Sequence, residues 1–130
     1  MNINSKKIVT RTLEMFIDVE GILRQRILEG VDMELADVKE SHLAATNLAA
    51  GKRMLKLVDA RVQFTISKEA RVYGANNETP ENNIARAVIT ESLANKIVIN
   101  FFIKFYKPKS PFKMFSTEND ALDWLRTFKS

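Results

Sequence analysis

The sequence contains no cysteine, which excludes disulfides, thiolate metal sites and thiol nucleophiles. Histidine occurs once, as His42. With no cysteine and no second histidine to join it, neither a zinc site nor a Ser-His-Asp triad is expected there. The four glycines, Gly21, Gly30, Gly51 and Gly74, are scattered, so no glycine-rich phosphate loop is present. Long apolar runs are missing too. The longest apolar region, Ile97–Tyr106, is interrupted by Asn100 and Lys104 and is far shorter than the roughly 20 residues that span a bilayer. The first ten residues, MNINSKKIVT, hold no apolar core of signal-peptide length. These absences lead to the expectation of a cytoplasmic protein with no membrane span.

Acidic residues are absent from Ser92 to Lys113, where Lys96, Lys104, Lys107, Lys109 and Lys113 concentrate the positive charge of a chain whose net charge is +4. Such a segment attracts nucleic acid, anionic lipid or an acidic protein, or is simply a solvated face. No RNA-binding aromatic strand motif or helix-turn-helix spacing accompanies the lysines, so no specific nucleic-acid partner is expected.

What is present is an ordinary globular composition, 45% hydrophobic and 28% charged over 130 residues. It predicts one domain spanning residues 1–130 with a sizeable core. Lys7–Val19 alternates with period two, Glu20-Gly21 is a turn signal, and Ile22–Leu28 is the return strand, with Arg24 and Arg26 opposite Leu23 and Ile27. Asp32 is a candidate N-cap for a helix over Glu34–Ala50, whose Leu35, Val38, His42, Ala45 and Ala49 share a face; Gly51 is its stop.

Leu55–Tyr73, LKLVDARVQFTISKEARVY, is the most informative stretch. Leu55, Leu57 and Val58 form a buried strand that ends at Asp59, and Ser67 caps the next helix. Ligands and partners meet α/β sheets at such strand ends. Asn76–Asn83 is a polar loop or a frayed helix end. Ile84–Thr90 is a small-residue strand that sets Ala85, Ala87 and Ile89 against Ile84, Arg86 and Val88. A helix over Leu93–Tyr106 ends at KPKSP, because proline cannot continue it. Phe112–Phe115 is a last strand, and Thr117 caps a final helix carrying Ala121, Leu122, Trp124 and Leu125. The order β-β-α-β-α-β-α-β-α predicts an α/β fold, with a mainly parallel sheet, an antiparallel N-terminal hairpin edge and covering helices.

This order, with LVDARVQFTISKEAR as a strand ending in Asp before a Ser-containing helix start, resembles the STAS domain. That is the fold of bacterial anti-sigma-factor antagonists and of sulfate-transporter tails. The segment NFFIKFYKPKSPFKMFSTENDALDWL is similar to the C-terminal signature of small bacterial STAS-like (SpoIIAA-like) proteins. In those proteins an aromatic-rich helix precedes a Pro-containing loop, an F-[ST]-x-E junction and A-L-x-W-L. Their fold is also similar to the CRAL-TRIO lipid-transfer domain. The resemblance covers Leu13 to Phe128. It implies a SpoIIAA-like single domain and either of two roles. One is a non-enzymatic protein-interaction or regulatory module, switched by phosphorylation at the start of the second helix. The other is binding of an apolar or lipid-like ligand in a CRAL-TRIO-like cavity.

Ser67 is the candidate phosphorylation site; a phosphate there adds roughly −1.5 to −2 charges at a helix N-terminus. The plain alternative is that it only caps the helix. The antagonist pattern has small residues and glycine after this serine, whereas Lys68, Glu69 and Ala70 follow it here. Asp59, Arg61, Glu69 and Arg71 form the candidate partner-facing edge, with Asp59 expected to pair with Arg61 or Arg71. Along Leu93–Tyr106, the residues Leu93, Ile97, Val98, Phe101, Phe102 and Phe105 suffice to face a sheet. Ile99, Phe102, Ile103 and Tyr106 are the candidate contacts to a second subunit or an apolar ligand. The excess apolar surface is covered by the final helix through Trp124 and Leu125, by a homodimer partner, by a ligand or by a membrane surface. No carboxylate pair shows catalytic spacing, so neither enzyme activity nor a cofactor is expected.

Overall fold

The computed structural model describes residues 6–77 and 79–129, with the side chains of Phe102, Phe105 and Tyr106 outside the described set. Alternation in the N-terminal segment produces β1 (Ile8–Val9), β2 (Leu13–Ile17) and β3 (Leu23–Ile27). They pair antiparallel, with Leu13 opposite Ile27 and Ile17 opposite Leu23. The β2–β3 turn is built by Asp18, whose Oδ1 accepts from the Glu20 and Ile22 N–H groups at 2.8 and 3.0 Å. Gly21 supplies the positive φ of 81° that the turn requires.

After β3 come β4 (Asp32–Met33), α1 (Leu35–Leu48), β5 (Met54–Asp59), β6 (Thr65–Ile66), α2 (Lys68–Asn77), β7 (Asn83–Ile89), α3 (Leu93–Tyr106), β8 (Phe112–Phe115) and α4 (Glu118–Arg126). The main sheet has six strands in the order β1-β2-β3-β5-β7-β8, and β3, β5, β7 and β8 run parallel. β4 and β6 form a separate two-residue parallel ladder.

Strand order rises along the chain, so the right-handed crossover rule places α1, α2 and α3 on one face. α4 follows the last strand and covers the other face. The two buried clusters follow this division. Leu13, Met15, Leu23, Ile27, Val58 and Val88 pack with Ala45 and Ala49 of the α1 side. Ile22, Leu55, Leu57, Ala85, Ala87 and Ile89 pack with Ala121, Leu122 and Leu125 of α4. β5 is buried on both faces, which is why it reads as a near-continuous apolar run. The α/β class, the parallel sheet and the antiparallel hairpin edge agree with the sequence reading.

Four expectations are corrected. The strand expected over Lys7–Val19 is broken, because the Thr10 N–H and hydroxyl both turn to the Leu13 carbonyl, at 2.8 and 3.2 Å. Asp32 is a strand residue and not the N-cap of α1. That cap is Glu34, whose N–H donates to Asp37 Oδ2 at 2.9 Å. α4 lies across the sheet from α3, so Trp124 and Leu125 do not cover α3. Trp124 instead packs between Phe115 and Phe128, with ring centroids 5.6 and 4.9 Å away. The facing of α3 is also turned round. Leu93, Ile97 and Phe101, expected against the sheet, are exposed to 73%, 61% and 61%. The helix is apolar on nearly every side, so periodicity did not define one inner face.

Candidate functional site

Beneath α1, α2 and α3 the helical layer leaves a cavity of about 400 Å³. Its floor is the sheet face formed by Leu13, Ile27, Val58, Ala60, Val88 and Phe112. α1 contributes Val38, Ser41, His42 and Ala45; α2 contributes Ala70, Arg71, Tyr73 and Gly74; α3 contributes Asn95, Val98 and Ile99. Met33, Phe64 and Ile66 close it at the β4–β6 ladder, and Asn83, Arg86 and Ser110 stand at the start of β7 and the approach to β8.

The walls are mostly apolar, and the few polar groups are specific. Asn83 is 1% exposed and Ser41 is 6% exposed. Asn83 Nδ2 donates to Ser110 Oγ at 2.8 Å. Asn83 Oδ1 and Ser41 Oγ are buried and have no hydrogen-bond partner among the described residues. A buried polar atom left unpaired typically costs about 1–3 kcal/mol, so these two mark places where the protein alone is incompletely satisfied. His42 stands edge-on to Tyr73, with ring centroids 6.1 Å apart, and Lys39 Nζ lies 5.7 Å from the Tyr73 centroid.

The sheet edge expected to meet a partner is built differently. Asp59 ends β5, and Arg61 clasps it: Nε donates to Oδ1 at 2.9 Å, Nη2 to Oδ2 at 2.7 Å, and the Arg61 N–H to Oδ1 at 3.1 Å. These bonds from Arg61 hold the Asp59 carboxyl below its ordinary range, against a smaller opposing effect of burial. Of the two arginines expected near Asp59, Arg61 is its partner. Arg71 instead donates from Nη1 to the Ile66 carbonyl at 3.2 Å and lines the cavity. Ser67 caps α2: its Oγ accepts the Ala70 N–H at 3.2 Å, and its carbonyl accepts the Arg71 N–H at 3.1 Å. Glu69 is exposed in the first turn of α2.

Of the apolar candidates on α3, Ile99 lines the cavity and Ile103 is half-buried. The Phe102 and Tyr106 side chains lie outside the described residues. Sequence reasoning missed Ser41, Asn83 and Ser110. A buried serine and asparagine on otherwise packed elements leave no periodic signal, and their unmet hydrogen bonds are visible only in three dimensions. Among the described residues no group of three acidic, histidine or cysteine side chains is placed to hold a metal ion, and no helix is long and apolar enough to cross a membrane.

The sheet order, with α1, α2 and α3 on one face and α4 on the other, is that of a STAS-like (SpoIIAA-like) fold. The chain belongs to the family described as Domain of unknown function (DUF7793), whose pattern covers residues 15–129. A similar solved structure is an uncharacterised protein of the DUF3478 family with a SpoIIAA-like fold, from Shewanella loihica PV-4. It is 18% identical, with a TM-score of 0.62 over 87% of this chain and 91% of its own. At that identity the likeness is one of fold. A protein of unknown function from Arthrobacter sp. FB24 aligns over 86% of this chain and 97% of its own at 26% identity, with a TM-score of 0.30; the shared fold does not rest on it. No curated protein sequence matches the chain.

Proposed function

We propose that this protein is a non-enzymatic binding module that holds a small, largely apolar molecule with a polar head in the cavity under α1, α2 and α3. The observation that carries the reading is a cavity of about 400 Å³, apolar in most of its walls, whose lining residues include Asn83 and Ser41, each with a buried side-chain oxygen that has no partner among the described residues. Apolar pockets with a few fixed polar groups are the usual architecture of small-molecule sites. Burying the ligand's apolar body supplies the affinity, at about 25 cal/mol per Å² removed from water, and the polar atoms select the head group. The acid that ends β5, Asp59, is engaged by Arg61, which supports binding over catalysis at that strand end.

The test is native mass spectrometry of protein purified from its own host, paired with titration of cis-parinaric acid, a fluorescent apolar chain with a polar head. A bound molecule, or saturable probe binding weakened by Val58→Trp in the cavity floor, is the expected result. Ligand-free protein that also fails to bind the probe sinks the reading.

A second reading is docking of a partner protein near the Asp59–Ser67 edge, regulated at Ser67. Its support is the position of Ser67 at the N-terminus of α2, half-buried, with Oγ on the Ala70 N–H. A phosphate there would meet the same orphan N–H groups and the positive end of the helix. Homodimer formation belongs with this reading, as does a cytoplasmic location. Phosphoproteomics of native cells together with the interaction profile of Ser67→Asp tests it. An unmodified Ser67 and an unchanged profile would remove it.

A further inference from the structure

We infer that the outer face of α3 docks on an anionic lipid surface. The helix presents two faces with different tasks. Asn95 and Ile99 line the cavity, Val98 lines it at the boundary while staying 41% exposed, and Leu93, Ile97 and Phe101 are 73%, 61% and 61% exposed. At 3.6 residues per turn these three fall on one stripe, and Lys104 continues it. Isolated exposed apolar residues are ordinary, but a stripe of three large ones along one helix marks a contact surface.

The charge around the stripe decides what covers it. Lys96, Lys104 and Lys107 lie on α3 or at its C-terminal cap and Lys109 follows, with no acidic residue from Ser92 to Thr117; Lys113 stands instead over the Phe115 ring on the α4 side of the sheet. Two copies meeting stripe to stripe would press these lysines together with no carboxylate on the segment to neutralise them. An anionic lipid surface offers what the face lacks: apolar depth for Leu93, Ile97 and Phe101, and negative headgroups for the lysines around them. A helix with an apolar stripe among lysines lies in the plane of such an interface. Its inner side is the cavity wall, so docking brings the cavity within one helix thickness of the lipid. The inference stands on the outer face alone and goes beyond the cavity reading.

Flotation with vesicles of phosphatidylcholine alone and of phosphatidylcholine mixed equally with phosphatidylglycerol tests it, using the full chain. The protein should float with the anionic vesicles, remain in solution with the neutral ones, and release as salt is raised. Leu93→Ser with Ile97→Ser should weaken flotation by about tenfold or more, as should Lys104→Glu with Lys107→Glu. The serine pair replaces exposed side chains, so its melting temperature and its parinaric acid titration should match those of the wild type. Val58→Trp should lose the probe and keep flotation, which separates failure of the cavity reading from failure of this one. Absence of flotation at low salt overturns the inference. So does a wild-type dimer, measured by analytical ultracentrifugation, that Leu93→Ser with Ile97→Ser dissociates, because the face would then belong to a second copy.

Discussion

Arg61 holds Asp59 through a two-pronged pair, with nitrogen–oxygen distances of 2.9 and 2.7 Å, and its own backbone N–H adds a third bond at 3.1 Å. The acid that ends the central strand β5 is therefore satisfied within two residues of itself. It organises the turn leaving β5 and carries little spare capacity for a partner or a proton transfer. Both side chains stay partly exposed, so the pair's coupling should be modest. A double-mutant cycle with Asp59→Asn and Arg61→Ala, read by urea melts, should give a coupling of about 0.5–1 kcal/mol.

Acid should act on a different pair. The Arg11 guanidinium donates to Asp37 from Nε at 2.8 Å and also from Nη2, and the Glu34 N–H adds a bond at 2.9 Å. Arg11 is the larger cause, and together they pull the Asp37 carboxyl from 3.8 to about 2. The folded value is the lower one, so this contribution to stability is complete above the unfolded value and is lost as pH falls toward the folded one. Thermal melts should be flat in this contribution above pH 3.8 and decline between 3.8 and about 2. Asp37→Asn should lower stability at neutral pH and flatten that decline. An unchanged acid profile would show that the pair is not formed in solution.

Ser67 can be tested as a cap apart from any modification. Ser67→Ala removes the acceptor of the Ala70 N–H and should cost about 1 kcal/mol, while Ser67→Asp retains an acceptor and should fall within about 0.5 kcal/mol of the wild type. Chemical denaturation of the three proteins checks both values.

The two sides of the sheet should respond differently to truncation. Leu125, fully buried on the sheet-facing side of α4, should cost about 2–5 kcal/mol as Leu125→Ala. Phe101, 61% exposed on α3, should cost less than about 1 kcal/mol as Phe101→Ala. Equal, large losses would mean that the outer face of α3 is packed after all.

Much of the fold was legible because its signals are local. Period-two alternation located β2 and β3. The apolar run before Asp59 located β5, and the set Ala85, Ala87 and Ile89 named the residues that meet α4. The caps at Ser67 and Thr117 could be read because a hydroxyl reaches a backbone N–H only three residues away, at 3.2 Å in both helices. The candidate site was far less legible. The stretch Leu55–Tyr73 pointed to the strand end at Asp59, yet the unmet polar atoms lie on Ser41 and Asn83, in segments that read as ordinary helix and strand.

The sequence by itself determined the main strands and helices, most of their ends, and which strand residues share a face, since each depends on neighbours a few positions away; the two-residue strands β1, β4 and β6 appear only in the tertiary structure. Tertiary structure alone decided the orientation of α3, the side on which α4 lands and the existence of the cavity. α3 is apolar nearly all round, so its inner face follows from where the sheet and α2 stand and not from its own pattern. α4 crosses to the far face because the near one is already taken by three helices. The cavity is the space left between elements, and only their packing determines its size and the side chains that line it.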